Sequence, residues 1–373
     1  MHPVLLVLAI TKTHPRCPSM LLIVISLVQI WCTISRGEAQ VVQQIPQNQS
    51  IPALIAFGDS IVDQGCNNNL TTIVKCNFPP YGQDFPSHQS TGRFSNAKTP
   101  PDILAEALGI KDLLPAYLDP RTESEDLLTG VSFASGGMGY DPVTSKLASA
   151  LSFSDQLKLF KEYISKLKRL VGEARTRSIL ANSLFIIVAG SDDLANTYFT
   201  FGGRLRYDVH SYADLMVSYA SDFIQEINEL GARRLAVFGV PPIGCVPSQR
   251  TLAGGPLRNC SENHNQATQV YNTKLQSKLN LLSQKFQLSK IVYVDVYNSL
   301  LHIIQNPQDY GFDVVDKGCC GTGDIEVSVL CNKLSKTCPD RSKYLFWDSY
   351  HPTQKGYEII VNQFMTNYIS RLL

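Results

Sequence analysis

Neither sign of charge is in excess in this chain of 373 residues, which sets 33 Lys and Arg against 32 Asp and Glu for a formal net charge of +1. A protein that grips a phosphate backbone needs a basic surplus, so nucleic-acid binding is disfavoured. Charged residues are themselves scarce, 17% against 44% hydrophobic. That argues against a solvated disordered chain and leaves ample material for a core. Missing too is any run of about 20 apolar residues, the length a membrane-spanning helix requires. No CxxC pair and no zinc-finger spacing of His and Cys occurs. There is no G-x-x-x-x-G-K-[ST] loop, and G-x-G-x-x-G spacing fails at Gly136-Gly137-Met138-Gly139.

What the first forty residues do contain is two short apolar runs, Val4 to Ile10 and Met20 to Trp31, with Lys12, His14 and Arg16 between them. The second run, the basic residues before it and the small residues Gly37 and Ala39 at a cleavage position match a secretory leader. A buried core helix is the competing reading, but Arg36, Glu38 and the polar stretch Gln40 to Ser50 leave it without an obvious partner. The expected organisation is a leader over 1–39 that is removed, a polar segment over 40–52 and a single domain over 53–373. Met20 could equally start translation. Export without a stable membrane anchor follows.

Cleavage after Ala39 would remove Cys17 and Cys32 and leave eight cysteines, an even number that an oxidising compartment would pair. Short loops predict Cys66–Cys76 and Cys245–Cys260, while Cys319, Cys320, Cys331 and Cys338 allow three pairings. Sequons at Asn48, Asn69 and Asn259 agree with export.

From residue 53 onward, short apolar runs alternate with amphipathic stretches. Leu54 to Phe57, Leu184 to Val188, Leu235 to Phe238 and Ile291 to Val294 lack period-two polarity, as strands covered on both faces do. Val131 to Ala134 is a weaker fifth, broken by Ser132. Phe153, Leu157, Phe160, Ile164, Leu167 and Val171 make a helical stripe, with Ser152 and Asp155 as a capping pair. Leu215 to Leu230 makes another, closed by Gly231, and Tyr271 to Phe286 and Tyr357 to Tyr368 two more. Strict alternation predicts one α/β domain with a mostly parallel sheet between helix layers.

In such a sheet the chemistry sits at the carboxyl ends of the strands. Gly58-Asp59-Ser60 follows the first run, Ser135-Gly136-Gly137-Met138-Gly139 the weak one, and Ala189-Gly190-Ser191-Asp192-Asp193 the second. Near the other end, Asp348 and His351 stand three apart, with Pro352 directing the chain into the last helix. That spacing lets a carboxylate hold one imidazole nitrogen and leaves the other for Ser60, the arrangement acyl transfer needs. The G-x-S-x-G elbow fails at Ser60, where Val62 replaces the second glycine. His88, His210, His264 and His302 have no ligand-spaced partners and read as surface or core residues. The Asn67 to Asn69 run reads as loop.

Phe57-Gly58-Asp59-Ser60 with Asp63, and Asp348-Ser349-Tyr350-His351, resemble the first and last blocks of the GDSL esterase/lipase family within the SGNH hydrolases. Pro79-Pro80-Tyr81-Gly82, Thr91 to Asn96, Phe133 to Gly137, Val240 to Cys245 and Gly318 to Gly321 are similar to stretches of its secreted plant branch. The resemblance runs from about residue 53 to the end. It implies a three-layer, flavodoxin-like α/β/α fold and hydrolysis of acyl or lipid esters through an acyl-serine, without metal or organic cofactor. It implies Ser60 as nucleophile, His351 as general acid/base and Asp348 as its orienting carboxylate. The oxyanion donors would be the amides of Ser60 and of Gly137, with Gly136 the near alternative. The apoplast or cell wall is the implied location.

Two positions depart from the family pattern. Asp192 stands where an Asn amide usually helps hold the oxyanion, and a carboxylate can donate there only when protonated. Ser132 stands where Asn is more usual, away from the proposed donors. Asp192 motivates a rival reading, a weakly catalytic or non-catalytic extracellular binder of lipid or wall polymer. An acyltransferase would use the same triad. Neither composition nor pattern assigns an oligomeric state.

Overall fold

In the computed structural model, residues 50–373 are described apart from 324 and 328–330. The proposed leader with its cleavage position, Cys17, Cys32 and the Asn48 sequon lie outside the described residues.

The four uninterrupted apolar runs become one parallel sheet, β1 (Leu54–Gly58), β2 (Leu184–Val188), β3 (Arg234–Phe238) and β4 (Lys290–Val294), hydrogen-bonded in that order. The strands run in register, Leu54 beside Leu184, Leu184 beside Arg234, and Arg234 beside Lys290. The broken run at 131–134 lies along the outer edge of β1. The Ala56 amide donates to the Val131 carbonyl (3.1 Å), and the Phe133 and Ser135 amides donate to the Ala56 and Gly58 carbonyls (2.8 Å each). With that edge segment counted second, the order across the sheet is 2-1-3-4-5, the flavodoxin-like arrangement the resemblance implies.

Alternate residues of each strand feed opposite cores, which is why the runs carry no polar face. Ile55, Phe57, Phe185, Ile187, Leu235 and Val237 point into one core. That side is covered by helices contributing Phe160, Phe223 and Leu275. Leu54, Ala56, Leu184, Ile186, Ala236 and Val292 point into the other, which includes Leu104, Phe364 and Leu372. The helices concerned are α1 (Pro100–Ala107), α2 (Pro142–Ala148), α3 (Phe153–Asn182), α4 (Val209–Glu229), α5 (Glu262–Lys285), α6 (Gln354–Asn367) and α7 (Ile369–Leu372). Of these, α3, α4 and α5 lie on the first face and α1, α6 and α7 on the second.

The expected helix ends are present. Ser152 and Asp155 form the capping box of α3, each side chain accepting the other's amide at 3.3 and 3.2 Å. Gly231, at φ 115°, ends the α4 turn. Pro352 precedes the helix rather than opening it. Thr353 is the N-cap of α6, accepting the Gly356 amide at 3.3 Å. Two short strands were not among the expected runs, β5 (Val314–Gly318) and β6 (Tyr344–Phe346), and they pair as a separate parallel sheet.

Three disulfides are formed, Cys245–Cys260, Cys319–Cys338 and Cys320–Cys331. The first is as expected and the other two resolve the open choice. The expected Cys66–Cys76 bridge is not formed, and both thiols are buried and free. The Cys66 thiol donates to the Ser132 carbonyl (3.3 Å), while Cys76 sits in a separate cluster with Tyr81, Phe94 and Trp347. Between them the chain is held by Asn67, whose amide donates to the Val74 and Gly136 carbonyls at 2.8 and 2.9 Å. A short loop alone does not bring the two sulfurs together. Among the described residues no helix is long and apolar enough to cross a membrane.

Candidate active site

The sheet order reverses between the 131–134 edge and β2, so the loops leaving β1 and β2 diverge and open a crevice at their carboxyl ends. β1 turns sharply there because its last residue is glycine. At Gly58, φ is 135° and a Cβ would lie 1.8 Å from the Val188 carbonyl oxygen. Gln156 of α3 clamps the turn: its carbonyl accepts the Gly58 amide and its NH2 donates to the Gly58 carbonyl, both at 3.0 Å. The Asp59 amide donates to the Val188 carbonyl at 2.9 Å. Ser60 is thereby set at the mouth of a rigid strand.

His351 arrives from the far end of the chain. β6 ends two residues before Asp348, and the Trp347 amide donates to the His351 carbonyl at 2.7 Å, closing the segment on itself. His351 Nε2 lies 2.7 Å from Ser60 Oγ, and His351 Nδ1 lies 2.9 Å from each Asp348 oxygen. Nδ1 carrying the proton leaves Nε2 to accept from the serine hydroxyl. Asp348 Oδ1 also accepts the Tyr350 and His351 amides (2.8 Å each), and Oδ2 accepts the Tyr81 hydroxyl (2.7 Å). Burial alone would raise the Asp348 carboxyl, but the His351 charge, the imidazole hydrogen bond and the two amides hold it below its ordinary value. It is an anion at neutral pH.

Gly137 lies in the same cleft, held at φ 85° with Ala148 and Val74 against the place a Cβ would occupy. Among the described residues no hydrogen bond engages the Ser60 or Gly137 amide, so both are free to face an incoming oxygen. The Gly136 amide is not, because it donates to Asp63 Oδ2 at 3.0 Å. Asp63 Oδ1 accepts the Gly65 and Cys66 amides at 2.8 and 2.7 Å, tying the serine turn to the glycine loop. Ser132, the second departure, donates to the Val62 carbonyl (2.7 Å) and braces the same turn from behind.

Asp192 borders the cleft. Loss of hydration raises its carboxyl to about 6, opposed by the His351 charge and by the Asn196 amide that donates to Oδ1 at 2.6 Å. Asn196 is held in turn by the Tyr350 hydroxyl at 3.0 Å. Asp59, beside Asp192, is raised well above its ordinary value by burial and then by the Asp192 charge. Asp193 faces the other way, accepting the Tyr140 and Asp141 amides and the Thr144 hydroxyl of α2.

These side chains border a cavity of about 500 Å³ with Ser60, Gly137, Asp192 and His351 at its polar end. The walls are apolar, formed by Val74, Ala148, Ile243 and Val246, and Ile73, Leu147 and Phe201 stand exposed at its mouth. Of the remaining histidines, His264 is buried against Phe199, and burial lowers it to about 4. His88 and His302 are exposed, bonded to the Gln83 carbonyl and the Tyr310 hydroxyl. The Asn67–Asn69 stretch is a 3-10 turn in which Asn67 is buried and accepts the Ser135 hydroxyl.

Sequence reasoning missed Tyr81, Gln156, Asn196 and Tyr350. Gln156 left a local trace, a polar residue beside Leu157 on the buried stripe of α3, and Tyr81 and Tyr350 lay inside the family-like stretches without a role assigned to them.

Over residues 54–364 the chain matches the family model described as GDSL-like Lipase/Acylhydrolase. The Arabidopsis thaliana protein named GDSL esterase/lipase EXL3 is 56% identical over 88% of this chain and 91% of its own length. Another from the same plant, GDSL esterase/lipase EXL2, is 49% identical over 91% of this chain and 95% of its own. Among solved structures, an extracellular lipase from Streptomyces rimosus is similar over 84% of this chain and 99% of that one, at 14% identity and a TM-score of 0.36. With the model spanning β1 to α6 and relatives of this identity along nearly their full length, the chain belongs to the GDSL-like lipase/acylhydrolase family.

Proposed function

We propose that the protein is a secreted carboxylic ester hydrolase working through an acyl-serine. One observation carries the reading: Ser60, His351 and Asp348 form an unbroken hydrogen-bonded chain, 2.7 and 2.9 Å, at the polar end of an apolar cleft. His351 Nε2 takes the Ser60 proton as Oγ attacks the ester carbonyl, and Asp348 stabilises the imidazolium that results. The Ser60 and Gly137 amides hold the oxyanion, joined by Asp192 when it is protonated. His351 returns its proton to the leaving alcohol, and water then repeats the attack on the acyl-serine with the same base.

The substrate class follows from the walls. Val74, Leu147, Ala148 and Phe201 offer an apolar acyl or alcohol group a surface to displace water from, and Lys75, which also lines the cleft, has its ammonium on the Asn68 carbonyl at 3.2 Å. The free carboxylate of a fatty acid would meet the Asp192 anion above pH about 6, so an uncharged ester is the better fit. Export, a leader over 1–39 and one catalytic domain over 53–373 are part of the same proposal. The three disulfides and the exposed asparagines of the 69 and 259 sequons support them.

The test is turnover of p-nitrophenyl esters of graded chain length by wild type and Ser60→Ala. The variant should lose about 10³-fold or more in kcat, the scale set by loss of a triad member. Equal rates in the two proteins would contradict the reading.

A further inference from the structure

We infer that Tyr81 is a positioning residue of the catalytic relay: its hydroxyl fixes the Asp348 carboxylate that orients His351, an inference that rests on the triad reading above. The Tyr81 hydroxyl donates to Asp348 Oδ2 at 2.7 Å across 267 residues of sequence. The two carboxylate oxygens are held differently. Oδ1 is locked by two backbone amides of its own segment, whereas Oδ2 has, among the described residues, only the imidazole and the tyrosine as donors. Without the phenol, Oδ2 keeps the imidazole alone, so groups other than that ring fix the carboxylate at one oxygen only, and the imidazole follows it.

The ring and the hydroxyl do separate jobs. The ring packs edge-on against Phe78, Phe94 and Trp347, and Phe94 lies 5.0 Å from the His351 ring. A phenylalanine would serve that packing equally well. Besides its bond to Asp348, the hydroxyl meets only the Cys76 side chain among the described residues. Burial and the Asp348 charge push the phenol well above its ordinary value, so it remains a donor at any pH at which the enzyme works. The neighbouring Cys76 thiol is held neutral by burial and the same charge, so it does not compete as a nucleophile.

By donating to Oδ2 the phenol also takes part of the negative charge that Asp348 would otherwise spend on the imidazolium. Removing the hydroxyl therefore has two effects that packing loss cannot mimic together. Tyr81→Phe should lower kcat about tenfold, the scale of one hydrogen bond to a charged group, with KM within about twofold. The acidic limb of its kcat/KM profile should move to higher pH, by roughly half a unit, because the carboxylate relieved of its competitor grips the protonated imidazole more firmly. A protein carrying 3-fluorotyrosine at position 81, a more acidic and stronger donor with an almost unchanged ring, should move that limb to lower pH. Opposite displacements are the signature of the hydroxyl, and the fluorinated protein decides the matter if the phenylalanine variant fails to fold.

Rates are referred to the fraction of protein titrated by a serine-directed phosphonate. A limb at the wild-type pH in the fluorotyrosine protein, or a Tyr81→Phe loss wholly accounted for by untitratable protein, would overturn the inference. The triad reading fails separately: Ser60→Ala with full activity sinks both, whereas an inactive Ser60→Ala beside unmoved Tyr81 profiles sinks only this one.

Discussion

Asp192 shows how far a single atom type can change the chemistry of a site. An amide there would donate at every pH, but a carboxyl donates only while protonated. Raised to about 6, it is neutral in mildly acidic solution and an acceptor-only anion above. Among the described residues one of its oxygens holds Asn196 and no hydrogen bond engages the other. The sign follows: the wild-type oxyanion site weakens as pH rises through about 6, and an asparagine would not. Asp192→Asn should therefore exceed wild-type kcat several-fold at pH 8, with the ratio falling toward one at pH 5, as measured under saturating short-chain ester. A ratio independent of pH, or below one at pH 8, would contradict the charged-repulsion account. At this scale the residue types of their turns and segments pointed to Ser60, Asp348 and His351, whereas Gly137 came only with the family resemblance and with Gly136 as its alternative. It did not yield Tyr81 or Asn196. A buried tyrosine reads as core, and its bond to Asp348 depends on a partner 267 positions away.

Among elements, legibility tracked the burial of both faces. β1 to β4 were visible because each carries four or five apolar residues with no polar alternation, which only a covered parallel strand requires. The edge at 131–134 was weak because Ser132 must be polar, its hydroxyl spent on the Val62 carbonyl. β5 and β6 were overlooked: Val-Val-Asp-Lys-Gly loses its pattern after two residues, and the short apolar run Tyr344 to Trp347, which holds β6 and aims the histidine segment, has no amphipathic stretch before it to mark it as part of the alternation. The π-helical turn Asp193–Thr200, which brings Asn196 to Asp192, likewise has no periodicity to announce it. Cysteine spacing served once and failed once. Cys245 and Cys260 bridge a turn that doubles back, the Ser261 amide donating to the Gly244 carbonyl at 2.8 Å. Cys66 and Cys76 are instead drawn to different clusters. Alkylation of the denatured, unreduced protein should therefore modify Cys66 and Cys76 and spare the other six cysteines of the described chain. A recovered Cys66–Cys76 disulfide peptide would refute that assignment.

For the molecule as a whole, the decisive event is the meeting of two segments 291 residues apart. The parallel sheet supplies one half by ending β1 at a glycine against β2, and the β6 segment ahead of α6 supplies the other. The flavodoxin-like order opens the crevice between them, and the apolar walls lead an ester to it. Family resemblance in the sequence indicated the residues and the fold. It could not indicate the second carboxylate oxygen, the relay through Tyr350 and Asn196, or which glycine amide remains free, since these depend on distances among side chains. The most direct measurement is the site of covalent modification by a fluorophosphonate, mapped by peptide mass spectrometry in wild type and His351→Ala. The account predicts a single adduct on Ser60 in wild type and labelling at least about 10²-fold slower without the imidazole base. An adduct on another residue, or equal labelling rates in the two proteins, would contradict it.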